Sequence, residues 1–393
     1  MTCCSFLMWR KVPSSANREG SDSSGTHAFN LYTYAELRSA TKDFSPANVV
    51  GSGGFGSVYK GRLKDGALAA IKVLSSDSTQ GVQEFLTEIR LISNIEHPNL
   101  VKLMGCCIEG NHRILVYGYL ENNSLAQTLF GKDRNKIHFS WRIRSNICIG
   151  VAHGLSFLHE KIQPHIVHRD IKASNILLDK VLNPKISDFG LAKLVPLGKT
   201  HVSTVVAGTT GYLAPECAVR GQVTRKADTY SFGVLLLEIV SGRRNTNVQS
   251  PVGEQYFETA GVGILLLQAW EMYEQGQLVE LVDTSLNGDF DSDEACRYLK
   301  TALLCIQDIP KLRPSMSIVV KMLQGEIDEF DNIAKPAIVT NLMDLNAKGH
   351  KMKVTGTRIM SYTSESERKD DSSFSGTSSS YANMSSNATS VRA

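Results

Sequence analysis

The chain has 393 residues, 42% hydrophobic and 21% charged, with a formal net charge of +3. That length suffices for two or more cores, the composition is that of an ordinary soluble protein, and so small a charge excess argues against nucleic acid as a partner. Its eight cysteines include the adjacent pairs Cys3/Cys4 and Cys106/Cys107 and show no C-x-x-C or metal spacing, so a reduced, intracellular chain is expected, and no apolar run is long enough to span a bilayer.

At the N-terminus, "MTCCSFLMWRK" sets no charged residue ahead of its short apolar patch, a poor secretory signal, and Thr2 rules out N-myristoylation. Cys3 and Cys4, followed by Arg10, Lys11 and Arg18, admit two readings: an S-acylated, weakly basic membrane anchor, or a free tail with two idle thiols. Residues 12–28, "VPSSANREGSDSSGTHA", are a linker by composition, so residues 1–29 are expected to be flexible. Folded structure is expected over roughly residues 30–330, beginning with a lead-in at 30–46.

Next comes "GSGGFGSV", in which Gly51, Gly53 and Gly56 make G-x-G-x-x-G. The pattern holds phosphates in two unrelated ways: it opens a helix facing a pyrophosphate, or it joins two antiparallel strands lying over a nucleotide. The flanks decide between them. Val58, Lys60 and Arg62 alternate with Tyr59, Gly61 and Leu63, "KDG" at Lys64–Gly66 signals a turn, and "LAAIKVL" is β-rich. Strand, glycine loop, strand, turn, strand is the expectation, and no long helix fits after the glycines.

Lys72 ends the third of these strands. Alone, a lysine between Ile71 and Val73 reads most simply as a solvated strand-edge residue. The following segment, "TQGVQEFLTEIRLISNI", brings Val82, Phe85, Leu86, Ile89 and Ile92 to one helical face. Glu88 flanks that face, placed to point inward and pair with Lys72, whereas Glu84 lies further round. The plainer alternative is that Glu88 is a surface carboxylate.

Downstream, "IVHRDIKASNILLD" sets Asp170 and Asn175 five apart with Lys172 between them, and "KISDFGLAK" places Asp188 between a short β-like run and a glycine. A single Asp–Asn pair is usually a turn. The ordered set fits phosphoryl transfer, which needs hard oxygen ligands for Mg²⁺, a residue to orient the attacking hydroxyl, and positive charge on the phosphates. Asp188 and Asn175 can supply the metal oxygens, Asp170 the acceptor, Lys172 and Lys72 the charge.

With "GSGGFGSV", "AIK", Glu88, "HRDIKASN", "DFG", "GTTGYLAPE", "KADTYSFGVLLLEI" and "RPSM" in this order, the sequence resembles the protein kinases. Within them it is similar to plant receptor-like cytoplasmic kinases of the receptor-like kinase/Pelle group, in particular soluble members of the cold-responsive protein kinase type. The lead-in "YTYAELRSATKDFSPANVVGSGGFG" is similar to that of plant members, and the likeness covers about residues 30–325. It implies an α+β, bilobal protein kinase fold over 47–325, with a small β-rich N-lobe at about 47–118 carrying one key helix and a larger, mainly helical C-lobe at about 121–325. It also implies ATP and Mg²⁺ as substrate and cofactor, and protein as phosphate acceptor.

The resemblance further implies roles by position. Gly51, Ser52, Gly53, Gly54, Phe55 and Gly56 would form the phosphate loop, with Val58 and Ala70 over the adenine. Lys72 would contact the α- and β-phosphates, held by Glu88. Tyr117 falls at the gatekeeper position, Gly118 and Leu120 would offer backbone groups to adenine, and Leu177 would lie beneath it. Asp170 would be the catalytic base, Lys172 would steady the γ-phosphate, and Asn175 and Asp188 would bind magnesium. Thr209 should touch Asp170 and Lys172, which favours Ser/Thr substrates. His168, Phe189, Ile92 and Leu103 should stack behind these residues. Asp228 should anchor the catalytic loop, and Glu216 should pair with Arg313.

Arg169 before the base implies control by phosphorylation of the loop carrying Thr200, Ser203, Thr204 and Thr209, with a phosphate on Ser203 or Thr204 bound by Arg169 and Lys193. Three departures stand out. Gly118 replaces a usual Glu, Thr229 replaces an apolar residue, and extra residues near 258–267 read as a surface loop or a gene-model error. The tail at 326–393, Ser-rich from Ser361, is too poor in apolar residues to bury a core and is expected to be mostly disordered. The leading expectation is an active, monomeric cytoplasmic Ser/Thr kinase in plant signalling, working beside a membrane receptor kinase and reaching the plasma membrane through Cys3/Cys4. A pseudokinase scaffold and a receptor lacking its ectodomain are the alternatives.

Overall fold

Period-two patterning builds the first layer. In the computed structural model, which describes residues 29–53, 56–74, 79–131, 137–245, 264–328, 330 and 333–335, six strands form one sheet. They are β1 (Asn30–Leu31), β2 (Val49–Gly53), β3 (Gly56–Arg62), β4 (Leu68–Leu74), β5 (Leu103–Glu109) and β6 (His112–Gly118), in the order β1-β5-β6-β4-β3-β2. β1 runs parallel to β5, and the other pairings are antiparallel. Cys3, Cys4, Gly54, Phe55, residues 258–263 and the Ser-rich stretch from Ser361 lie outside the described residues.

Alternation along β4 and β6 divides the sheet into two working faces. Ala69, Ile71, Ile114 and Val116 bury on one face with Leu63, Cys107 and Leu37. Leu37 belongs to α1 (Tyr34–Ala40), which the lead-in contributes. Thr33 starts that helix with a capping box: its hydroxyl accepts from the Glu36 amide at 3.2 Å, and the Glu36 carboxylate accepts from the Thr33 amide at 2.9 Å. Burying Leu37 contributes about 1.5–3 kcal/mol, so the lead-in is part of the lobe's second core. The opposite face carries Ala70, Lys72, Leu74, Leu115 and Tyr117 toward α2 (Thr79–Ile92).

α2 is rotated from its expected setting. Leu86 is 45% exposed, whereas Glu84 and Glu88 are both buried beside Phe85 and Ile92. The inward stripe is Glu84, Phe85, Glu88 and Ile92, at helical spacing. Glu84 finds its partner Gln80 within the helix, but those of Glu88, Lys72 and Tyr117, lie on the sheet and are brought to it only by the fold, and that is why an apolar-face argument turned the helix too far.

Below the sheet lie α3 (Leu125–Thr128), α4 (Trp141–Ser156) and the short strands β7 (His165–Val167), β8 (Ile176–Leu178), β9 (Pro184–Ile186), β10 (Lys193–Val195) and β11 (Val202–Ser203). There follow α5 (Pro215–Arg220), β12 (Gln222–Val223), α6 (Arg225–Ser241), α7 (Ile264–Glu274), α8 (Ser292–Cys305) and α9 (Met316–Gln324). α6 is buried at every residue from Ala227 to Ser241, the signature of a helix enclosed on all sides, and Thr224 caps it by accepting from the Ala227 amide at 3.2 Å. Of the extra residues near 258–267, those from Ile264 onward are not surface loop: they open α7, where Leu265, Leu266 and Leu267 are core. Among the described residues no helix is long and apolar enough to cross a membrane.

The packed chain continues past α9. Gln307 is buried, and its side-chain amide donates to the Ala334 carbonyl at 2.9 Å while its Oε1 accepts from the Ala334 amide at 3.2 Å. Lys335 reaches Glu274 of α7 at 3.3 Å, and Ile333 packs on the main core.

Candidate active site

The glycine segment is a hairpin, with Gly51 opposite Val58, Ser52 opposite Ser57 and Gly53 opposite Gly56. Gly56 has φ 125°, and a Cβ there would meet the Val73 carbonyl oxygen at 2.0 Å, so neither its backbone nor its surroundings admit a side chain. Gly53 differs: a Cβ there would meet nothing within 4 Å. Among the described residues, no packing requires glycine at that position.

Strand register sets the next row. Val58, Lys72 and Leu115 lie side by side across β3, β4 and β6, and Ala70 pairs with Tyr117. Lys72 Nζ donates to Glu88 Oε1 at 2.8 Å and to Asp188 Oδ1 at 2.9 Å, joining sheet, α2 and the Asp188–Phe189–Gly190 turn. Burial works against the Lys72 charge, but the two carboxylates outweigh it and raise its pKa above the usual lysine value. Burial likewise pushes the Asp188 carboxyl up, and the Lys72 charge reverses this, leaving its pKa below the usual range. Both groups are therefore charged at neutral pH.

Tyr117 donates its hydroxyl to the other oxygen of Glu88. Burial, then the Glu88 charge, raise its pKa far above an ordinary tyrosine's, so it remains a neutral donor. Sequence reasoning placed Tyr117 by position and missed this bond, which no local pattern encodes. Glu84 was missed too. It accepts from Gln80 at 3.0 Å and packs its stem against Gly190, and burial, the leading cause, raises its pKa. The Gly118 amide is taken by the Lys102 carbonyl at 3.1 Å, so what Gly118 has to offer a ligand is its carbonyl. Leu120 and Leu177 are half-buried, each packed against the main core.

The second cluster sits on the loop between β7 and β8. Asp170 Oδ1 accepts from Thr209 Oγ1 at 2.6 Å, and Asp170 Oδ2 lies 2.8 Å from Lys172 Nζ, which also donates to Thr209 Oγ1 at 2.7 Å. Asn175 Nδ2 donates to the Asp170 carbonyl at 2.8 Å and to Oδ2 at 3.0 Å. That aligns the Asp170 carboxylate and commits the amide nitrogen of Asn175, leaving its carbonyl oxygen as the donor suited to a hard cation. Among the described residues no group of three His, Cys, Asp or Glu forms a metal cage. A carboxylate at Asp188 and an amide oxygen at Asn175 nevertheless suit Mg²⁺, which keeps several waters and takes substrate phosphates as further ligands.

Two residues of the site, Arg169 and Asp188, have φ of 73° and 67°. Left-handed backbone costs a non-glycine residue about 1–2 kcal/mol, and Asp228 offsets it at Arg169. Its carboxylate accepts from the His168 amide at 2.7 Å, the Arg169 amide at 2.8 Å and His159 Nε2 at 2.9 Å. Burial alone would raise the Asp228 carboxyl; these hydrogen bonds and the histidine charge bring its pKa below the usual value. His168 meets Phe189 edge-on with ring centroids 4.8 Å apart, and Phe189 shares the main buried core with Ile92 and Leu103.

Arg169 spends its guanidinium on the Leu191 carbonyl at 3.2 Å and the Val205 carbonyl at 2.9 Å. Ser203 is exposed on β11 opposite Gln222, and the Thr204 amide donates to the Gly221 carbonyl at 3.0 Å. Lys193 pairs through its backbone with Val167. Thr209, grouped by sequence with these loop hydroxyls and also expected beside Asp170 and Lys172, is in contact with both. Thr229 donates only a long bond, 3.5 Å, to the Arg225 carbonyl. Arg313 grips Glu216 with two bonds of 2.7 and 2.8 Å.

Residues 44–323 match a protein kinase domain. Over 347 residues the chain is 62% identical to Cold-responsive protein kinase 1 of Arabidopsis thaliana, covering 87% of each chain. It is 51% identical over 348 residues to a probable LRR receptor-like serine/threonine-protein kinase of the same plant, covering 88% of this chain and 33% of that one. A further such receptor-like relative is 53% identical over 310 residues, covering 79% of this chain and 29% of the relative. The chain thus spans most of the first relative and about a third of the other two.

Proposed function

The chain belongs to the protein kinase family, and from that premise we propose that it is an ATP- and Mg²⁺-dependent serine/threonine kinase acting on protein substrates in plant signalling. The observation that carries this is the two-sided cluster: Glu88–Lys72–Asp188 on one side, Asp170–Lys172–Thr209 on the other. Lys72 presents its ammonium to the α- and β-phosphates of ATP, fixed by Glu88. Asp170 accepts the hydrogen bond of the incoming hydroxyl, and Lys172 places positive charge on the γ-phosphate. Asn175 and Asp188 would hold magnesium, which supplies charge to the phosphate oxygens. Thr209, bonded to both Asp170 and Lys172, supports preference for a small Ser/Thr hydroxyl. The names of the relatives support the same acceptor class.

Activation by phosphate on the loop at Ser203 or Thr204, a monomeric state, a membrane receptor kinase as partner, and a cytoplasmic location with attachment through acylated Cys3/Cys4 are parts of the same proposal. Incubation with γ-labelled ATP, Mg²⁺ and a peptide substrate, beside Lys72→Met and Asp170→Asn, tests it. Label is expected on Ser and Thr with the wild type only. Absence of transfer by the wild-type protein, with nucleotide still bound, would instead make the chain a scaffold.

A further inference from the structure

The chain beyond α9 rests on residues with no part in phosphoryl transfer. Gln307, just after α8, is only 2% exposed, and its side chain meets a backbone rather than another side chain. Its Nε2 donates to the Ala334 carbonyl at 2.9 Å, and its Oε1 accepts from the Ala334 amide at 3.2 Å. One carboxamide thus satisfies both polar backbone groups of one residue. Nε2 also donates to the Leu303 carbonyl on α8 at 3.0 Å, which fixes the plane of the amide. On either side of Ala334, side chains make the contacts. Ile333 is half-buried against the main core, and Lys335 Nζ lies 3.3 and 3.4 Å from the two carboxylate oxygens of Glu274 on α7. Ala334 itself is exposed, so nothing selects its side chain.

We propose that Gln307, Glu274 and the core surface under Ile333 form a docking site for a short peptide of apolar–any–basic order, filled by the chain's own residues Ile333–Lys335. A carboxamide that pairs with the N–H and the C=O of one residue reads main chain alone, as a sheet edge does when it takes up a peptide, and the flanking side chains supply the selectivity. Lys335 and Glu274 are both partly exposed, so their ion pair adds little energy and serves to set the direction of the peptide. Emptying the site would leave Gln307 Oε1 a buried acceptor without a donor, a state that favours refilling. The occupant follows from the connection: α9 ends at Gln324, Gly325 closes it with φ 76°, and only a short link leads on to Ile333. A tether of that kind gives the segment an effective concentration of about millimolar. The segment therefore keeps the site closed to free peptides of the same order. The site is built on α7, on the residue after α8 and on the core, so it does not depend on the kinase reading.

The test uses the full chain, with hydrogen exchange and with a labelled synthetic peptide of residues 328–340 as the probe. In the wild type the Ala334 amide is expected to be protected from exchange although it belongs to no helix or strand, and the probe should not bind. Ala334→Pro removes that amide at an exposed position, and Ile333→Asp removes the apolar contact. Each should empty the site, and the full-length variant should then bind the probe. Adding Gln307→Ala to Ala334→Pro should weaken this binding about tenfold or more. A probe with Ile333 and Lys335 interchanged should bind as weakly. Free exchange of the Ala334 amide in the wild type overturns the proposal whether or not the variants fold. So does failure of both variants, shown by thermal melting to be folded, to bind the probe, or equal binding of the native and interchanged probes.

Discussion

Tyr117 and Glu88 share a hydrogen bond on the side of the carboxylate that Lys72 does not use. Glu88 is fully buried, and these two partners engage its two oxygens. Tyr117→Phe keeps the ring and removes the donor, leaving a carboxylate oxygen without its partner. A loss of about 1–3 kcal/mol is expected, a fall in Tm of roughly 2–4 °C per kcal/mol. Calorimetry checks the melting, and a raised ATP KM should accompany it because Glu88 then holds Lys72 less firmly.

Two glycines of one loop should behave oppositely. Gly56→Ala places a methyl group against the Val73 carbonyl and should lower Tm. At Gly53 a Cβ would meet no described atom within 4 Å, so Gly53→Val should leave Tm within about 1 °C of wild type, a surface-like change. It should nevertheless raise the ATP KM, because the added side chain occupies space next to the loop's backbone. Equal effects of the two substitutions on Tm would sink this distinction.

Asp228 gives an acid limb of known sign. Its pKa lies below the ordinary 3.8 of an unfolded aspartate, so the stability it contributes is present above that value and is lost as pH falls through the lower, folded pKa. Asp228→Asn should be destabilised throughout pH 5–7. Its Tm gap to wild type should then narrow below about pH 4 as the wild-type carboxylate takes up its proton.

On the activation loop, the Val205 carbonyl held by Arg169 makes Thr204 the nearer candidate for a phosphate that recruits this guanidinium. Thr204→Ala should reduce activity more than Ser203→Ala, and phosphate mapping should find the modification on Thr204. Full activity in the double variant, with the loop bare in wild type, would remove the proposal of activation by phosphorylation.

Arg313 is fully buried, paired with Glu216, and donates further to the carbonyls of Gln307, Lys226 and Asp308. Arg313→Ala strands a buried carboxylate and should cost about 3–5 kcal/mol, read as a fall in denaturation midpoint. Activity per folded molecule should fall much less than the yield of folded protein.

What could be read from the residues alone was whatever depends on short-range order. Alternation after Gly56 already distinguishes a hairpin from a helix-opening loop, and Asp170, Lys172 and Asn175 share one short loop whose spacing is their geometry. Relations set by tertiary packing were not legible. The setting of α2 that buries Glu88 and exposes Leu86 follows from Lys72 and Tyr117, partners on the sheet. The parallel pairing of Asn30 with Gly105 joins residues far apart in the chain. The hydrogen bond from Asn245, after α6, to the Gly211 carbonyl, before α5, is likewise announced by no periodicity.

Gln307 faces two ways. Its side chain clasps both backbone polar groups of Ala334, while its own carbonyl accepts from Arg313 Nε at 2.6 Å. Mechanically this makes a load path: tension applied at Lys335 is borne by the Gln307 amide and passed through Arg313 to Glu216 in α5. Residues 333–335 are thus attached to the helical lobe at a point where pulling is felt.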